Sequence, residues 1–205
     1  HAHSHDELRA RLWALRSIPG AEIKFTQNGP PTLQPSVRTW LKGHGWSKDV
    51  RVPYNQLSYA SSASKSDFCV VIAGDDRSAG RTMVDSAAAG CVPLIIGAVE
   101  LPFTKLLRYD HFSVRVPEDE FMRYPTETTR RVLDENAPRL AELRAALTIA
   151  RDGLVLAYGA APLPGNISLA SGSDLALLEI GRVICPRSPS TLKACLPQAG
   201  DGNFI

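Results

Sequence analysis

No run of apolar residues in the sequence approaches the roughly 20 that a membrane-crossing helix needs. The longest, Cys91 to Val99, is interrupted by Pro93 and Gly97, so no membrane span is expected within these residues. Runs of one charge are missing too. The 23 basic and 21 acidic residues are spread along the chain and leave a formal net charge of +2. Such a chain has no basic stripe to follow a phosphate backbone, and nucleic acid is not an expected partner. Four cysteines in 205 residues are too few for a disulfide-dense scaffold, and none are spaced as the CxxC pairs of zinc sites. A Walker loop, a GxGxxG fingerprint, an Asp-x-Asp metal signature and internal repeats are also missing.

What is present suits a globular α/β unit. With 44% hydrophobic residues, the chain can bury a core, and its length fits one domain or one and a half. It starts at His1 without an initiator Met and reads as a piece of a longer product. Ser4 and Glu7 stand at capping-box spacing, and Leu8, Leu12 and Leu15 then share a helical face. Pro19-Gly20 stops that helix, and Ala21 to Thr26 reads as a strand with Ile23 and Phe25 on one face. From Gln27 to Pro53 the glycines and prolines predict a loop, with at most a short helix over Val37 to Lys42. Trp40, His44 and Trp46 lie in it, suited either to stack on a base or sugar or to cover the core.

A helix over Tyr54 to Ser66 leads into FCVVIA, Phe68 to Ala73, whose continuous apolar run predicts a strand buried on both faces. Ser78 to Ala89 is helical by composition, VPLII (Val92 to Ile96) is a second buried strand, and FSVRV (Phe112 to Val116) a third. Two helices follow, Thr126 to Glu135 and Arg139 to Arg151. This alternation predicts a Rossmann-like parallel sheet with helices on both faces. The reading divides the chain into a Rossmann-like domain over residues 1–153 and a C-terminal part over 154–205, where one helix, Asp174 to Ile184, precedes a Pro/Ser/Gly-rich tail.

Ligands of such sheets sit beyond the carboxyl ends of the strands, where loops lead into helix N-termini. Gly74-Asp75-Asp76-Arg77-Ser78-Ala79-Gly80 occupies that place. The helix behind it offers N–H groups and a positive dipole end to an anion, and Gly74 and Gly80 allow close backbone approach. Arg81 could fork onto a diphosphate, and Asp85, one turn later, could accept from ribose hydroxyls. An Arg81 to Asp85 ion pair on a solvated face explains the same spacing equally well. Cys69 and Cys91 are either small buried residues or a bond between neighbouring strands. Cys185 and Cys195 flank PRSPSTLKA and are candidates for a loop-closing disulfide, and Asn166 heads an Asn-Ile-Ser glycosylation pattern. These last features lean toward a secretory lumen.

Three linked motifs add what spacing cannot. DFCVVIAGDD, then AAAGCVPLIIG, then ELPFTKLLRYDHFSVRVPE resemble, in the same order, the C-terminal part of exostosin-like glycosyltransferases, glycosyltransferase family 47, most clearly over Tyr54 to Glu118. The resemblance implies the C-terminal half of a GT-B fold, with a partner N-terminal domain supplied elsewhere or a second glycosyltransferase alongside. It further implies a nucleoside diphosphate sugar as donor, a glycan acceptor, inverting transfer, and a Golgi or secretory-pathway lumen as part of a longer membrane-anchored protein. Carried onto this chain, Gly74, Asp75, Ser78 and Gly80 line the diphosphate, Arg81 neutralises it and Asp85 holds the ribose. Glu100, before Leu101-Pro102-Phe103, either faces the donor sugar or caps the next helix turn. Many family members have Arg eight residues before the Gly of the Gly-Cys pair; here Thr82 holds that position and Arg81 stands nine before Gly90. His44 and His111 are titratable, but neither is assigned as the catalytic base. No cofactor is specified, and a divalent metal stays open. The alternative reading is a non-catalytic exostosin-like module that docks or stabilises a partner protein.

Overall fold

A computed structural model of the chain describes residues 5–23, 25–26, 35–45, 51–52, 55–73 and 78–154. At its centre is a three-stranded parallel sheet in the order β3-β4-β5, made of β3 (Phe68–Ile72), β4 (Val92–Ile96) and β5 (Val114–Val116). The register sets Phe68 beside Val92 and Leu94 beside Val114. Parallel neighbours need crossover connections. Here α4 (Gly80–Ala89) joins β3 to β4, and turns with a short 3-10 segment, Tyr109–His111, join β4 to β5.

The two-residue period of a strand splits its side chains between two cores. Val92, Leu94 and Ile96 of β4, with Val114 and Val116 of β5, face α1 (His5–Arg11), the following 3-10 stretch Leu12–Ser17, α5 (Glu118–Arg123) and α6 (Pro125–Asn136). Val71 and Ile95 face the other way, onto Met83 and Ala87 of α4 and Leu147 and Ala150 of α7 (Leu140–Leu154). With both faces covered, all five residues of β4 are buried. At about 1.5–3 kcal/mol for each fully buried aliphatic side chain, this strand is the main apolar anchor of the fold.

β3 departs from its expectation. Val71 is fully buried, but Phe68, Cys69, Val70 and Ile72 are half-buried, because β3 lies at the edge of the described sheet and only β4 has a strand on each side. The N-terminal leucines behave as their spacing predicts: Leu8 and Leu15 are buried in one cluster and Leu12 packs against it. The helix tightens into 3-10 geometry at Leu12.

The expected strand over Ala21 to Thr26 is shorter, β1 (Phe25–Thr26), and pairs in parallel with β2 (Arg51–Val52). That partner falls inside the stretch read as loop, where two residues carry no periodicity of their own. The helix in that stretch, α2 (Pro35–Gly43), is longer than its Val37 to Lys42 expectation. Before β3, α3 (Gln56–Ser64) begins at Asn55, whose side chain accepts from the Ser58 N–H at 2.9 Å. Trp46, the Asp174 to Ile184 helix, Cys185, Cys195 and Asn166 lie outside the described residues.

Candidate functional site

The turn from α4 into β4 is built by Gly90. It takes φ +71, a left-handed conformation that an L side chain resists, and so closes the helix. The Cys91 N–H donates to the Ser86 carbonyl at 3.0 Å and the Gly90 N–H to the Ala87 carbonyl at 3.1 Å. Cys91 is thereby delivered to Cys69, and the two form a disulfide with their Cα atoms 5.7 Å apart. Both open readings of this pair hold for Cys91, which is fully buried and also bonded. The bond closes a loop of 22 residues that contains the whole strand-to-helix connection. On the far side, Arg144 of α7 secures the entry to β3, 2.7 Å from Asp67.

The other end of α4 points to the carboxyl edge of the sheet. Its N-cap, Ala79, has no side-chain acceptor, and no acidic residue stands in its first turn. Ala79 donates its N–H to the Glu100 carbonyl at 2.9 Å, and Ser78 and Glu100 form a parallel bridge. The segments after β3 and β4 are thus joined beyond the sheet, and Ser78 and Ala79 meet Glu100 there, one residue before Gly80 opens α4.

Thr82 is exposed and turns its hydroxyl onto its own helix, donating to the Ala79 carbonyl at 2.7 Å. Asp85 is half-buried on a helix whose Met83, Ser86 and Ala87 are buried. Gly74 and Asp75, and the side chain of Arg81, lie outside the described residues.

Glu100 itself is exposed. It does not cap a following helix, because Pro102 to Leu106 form turns. The Leu106 and Leu107 N–H groups both donate to the Phe103 carbonyl at 2.8 Å, and the Tyr109 hydroxyl donates to the Pro102 carbonyl at 2.7 Å. Phe103 sits at φ +55, which is uncommon for a bulky residue and persists only where surrounding contacts impose it. The Leu-Pro-Phe motif is therefore a fastened turn beside the α4 N-terminus.

The two histidines differ. His44 stacks on Trp40 with ring centroids 3.9 Å apart, and its Nδ1–H donates to the Trp40 carbonyl at 2.8 Å. The His44 carbonyl in turn accepts from Trp13 Nε1 at 3.0 Å, and Trp40 packs on the small cluster of Ala10, Trp13 and Leu41. Trp40 thus covers a core rather than presenting its ring to a base. Arg11 lies 4.5 Å over the same ring; partial burial pulls its pKa below the ordinary arginine range, opposed by Glu7. His111 is exposed beside Asp110, at 3.8 Å. The Arg108 hydrogen bond, 3.0 Å long, holds the Asp110 carboxyl below its usual range.

Sequence reasoning gave no role to Glu118. Its Oε2 accepts from the Ala98 N–H at 3.0 Å, across the carboxyl edge from β5 to β4. A glycine directly after VPLII and an acid directly after FSVRVP were visible, but their meeting depends on the strands being neighbours. Among the described residues no three His, Cys, Asp or Glu side chains gather as a metal site, and no helix is long and apolar enough to cross a membrane.

The fold defines a Rossmann-like α/β protein in which the segments after two neighbouring strands cross at the start of α4. The family model of the exostosin GT47 domain matches residues 21–132, more than half of the chain. The chain belongs to that family, whose members are glycosyltransferases of the secretory pathway. No curated protein and no solved structure matches the chain.

Proposed function

We propose that this chain is the donor-binding half of an inverting glycosyltransferase, with a GT-B arrangement completed by a second domain. The observation that carries the reading is the α4 N-terminus. It begins at the carboxyl edge of the sheet with an alanine as N-cap and no acid in its first turn, and it lies within the region matched to the family. A nucleoside diphosphate sugar fits there. The diphosphate sits at the first N–H groups of α4 near Ser78 and Gly80, with Gly74 and Asp75 lining the preceding loop. Arg81 supplies counter-charge and Asp85 accepts from the ribose. Glu100 is exposed beside the same helix start and faces the donor sugar.

In the reaction the acceptor hydroxyl attacks the anomeric carbon from the side opposite the diphosphate. The new glycosidic bond forms as the old carbon–oxygen bond breaks, and the electron pair leaves with the diphosphate. Helix N–H groups and Arg81 stabilise that developing charge, the preorganised electrostatics on which such steps depend. The base that takes the hydroxyl proton is unassigned. The family supports a sugar acceptor and a secretory-pathway compartment, read here as a glycan and a Golgi lumen; the Cys69–Cys91 bond is consistent with an oxidising lumen. Residues 1–153 form the donor domain in this reading and 154–205 an appended part.

Calorimetry with a panel of sugar nucleotides tests it. Arg81→Ala and Asp85→Ala should each weaken the best binder, and unchanged affinity in both variants would refute these roles. Thr82, where many members have Arg, favours a second reading, a non-catalytic module that stabilises a partner protein. Sugar transfer by the full-length protein alone would eliminate that reading.

A further inference from the structure

β4 ends at Gly97, which takes φ +84. The space where a side chain would stand is already filled: an ideal Cβ there meets Glu118 Oε2 at 2.9 Å and Leu8 Cδ1 at 3.0 Å. The same Glu118 oxygen accepts from the Ala98 N–H at 3.0 Å. Two residues further on, the Glu100 carbonyl accepts from the Ala79 N–H at 2.9 Å. A continuous path therefore runs from the first residue of α5, through the segment 97–100, to the first residue before α4.

We propose that Glu118 is a positioning residue for the donor site. Its carboxylate selects the course of residues 97–100 and thereby seats the Glu100 carbonyl against the start of α4. The inference rests on the donor-site reading above for its functional meaning, though not for its geometry. A glycine at positive φ has several accessible wells, so Gly97 by itself leaves the direction of the following loop open. Glu118 closes that choice in two ways. Its side-chain oxygen accepts from the exposed Ala98 N–H, and the same oxygen fills the room that Gly97 leaves. If the loop shifts, the Ser78 to Glu100 bridge loses its register, and the N–H groups meant for the diphosphate shift with it. Glu118 touches no donor atom in this account and acts only through backbone.

The test compares the full chain with Glu118→Gln, Glu118→Asp and Glu118→Ala, by amide hydrogen exchange and by calorimetry with a sugar-nucleotide panel. Gln retains a carbonyl oxygen at the same reach; Asp retains the charge but is one carbon too short. The Ala98 and Ala79 amides should lose protection about tenfold in the Asp and Ala variants, the scale of one lost hydrogen bond, and stay within about threefold of wild type in the Gln variant. Amides within β4 and α7 should be unchanged in all. Affinity for the best binder should follow the same order, falling about tenfold with Asp and Ala and surviving with Gln. Unchanged Ala98 and Ala79 protection in Glu118→Asp, or an equal loss across β4 and α7, would overturn the proposal. If wild type binds no sugar nucleotide, the donor-site reading fails, while the exchange pattern still decides whether Glu118 positions the loop. Should Glu118→Ala not fold, Glu118→Asp, which keeps an acid at the helix start, carries the comparison.

Discussion

α4 and α5 both begin at the carboxyl edge of one parallel sheet, after β3 and β5, yet their N-termini carry opposite chemistry. The first turn of α5 holds Glu118, Asp119 and Glu120; Glu118 accepts from the Ala98 N–H and Glu120 pairs with Arg131 at 2.6 Å. α4 has no acid in its first turn, and the alanine at its N-cap has no acceptor to offer. The positive end of α5 is answered by the chain's own carboxylates, whereas the Ala79 N–H at the start of α4 donates to a backbone carbonyl, that of Glu100, and an anion at that start is what the donor-site proposal adds. Two helices in equivalent places are thus finished differently, one with three acids in its first turn and the other with none.

That difference can be attacked from either side. The largest effect is expected on the bracing side. Phe121 is the fully buried anchor of α5, and Phe121→Ala should cost about 3–5 kcal/mol in denaturant unfolding, the usual loss for an emptied aromatic site. On the binding side, replacing Cys69 and Cys91 together by Ser opens the loop that encloses α4. It should cost about 2–4 kcal/mol, and reductant should lower the wild type by a similar amount while leaving the variant unchanged. A smaller change in stability with a clear change in binding is expected at Thr82. Thr82→Glu makes α4 resemble α5, so it should raise stability by about 0.3–1 kcal/mol. Sugar-nucleotide affinity should fall about tenfold through like-charge repulsion, whereas Thr82→Arg should strengthen binding in the same calorimetric assay. The smallest effect belongs to Arg131, whose guanidinium is held above the ordinary arginine range by Glu135 first and Glu120 second. Both pairs are exposed, so Arg131→Ala should leave the thermal midpoint unchanged. A marked drop would mean that this network, rather than Glu118, braces the edge.

The legibility of these parts from sequence was uneven for physical reasons. β4 was readable because a run such as VPLII, with no polar position, must be covered on both faces. β3 reads just as apolar, yet it is half-buried, since its own residues do not say which strand ends the sheet. β2 escaped notice because a two-residue strand exists only by virtue of its partner. At the candidate site, the helix after GDDRSAG was evident from residue types, although it begins at Gly80 rather than Ser78, and the three ordered motifs pointed to the family that the comparison with the exostosin GT47 domain bears out. The crossing of Ser78 with Glu100, and the reach of Glu118 to Ala98, were not evident, because they join residues 22 and 20 apart in sequence.

Local chemistry is written residue by residue: which segments are apolar, where Gly90 must break a helix, and which helix begins without an acid. These the sequence alone determined, along with the order of strands and helices and hence the fold class. Tertiary structure decided which strand is central and which is edge, that Cys69 and Cys91 meet, that Trp40 covers a core, and that an acid at the start of α5 meets the Ala98 N–H after β4. Each of these depends on the lateral pairing of parallel strands, which is set by the packing of both sheet faces at once rather than by any single stretch of chain.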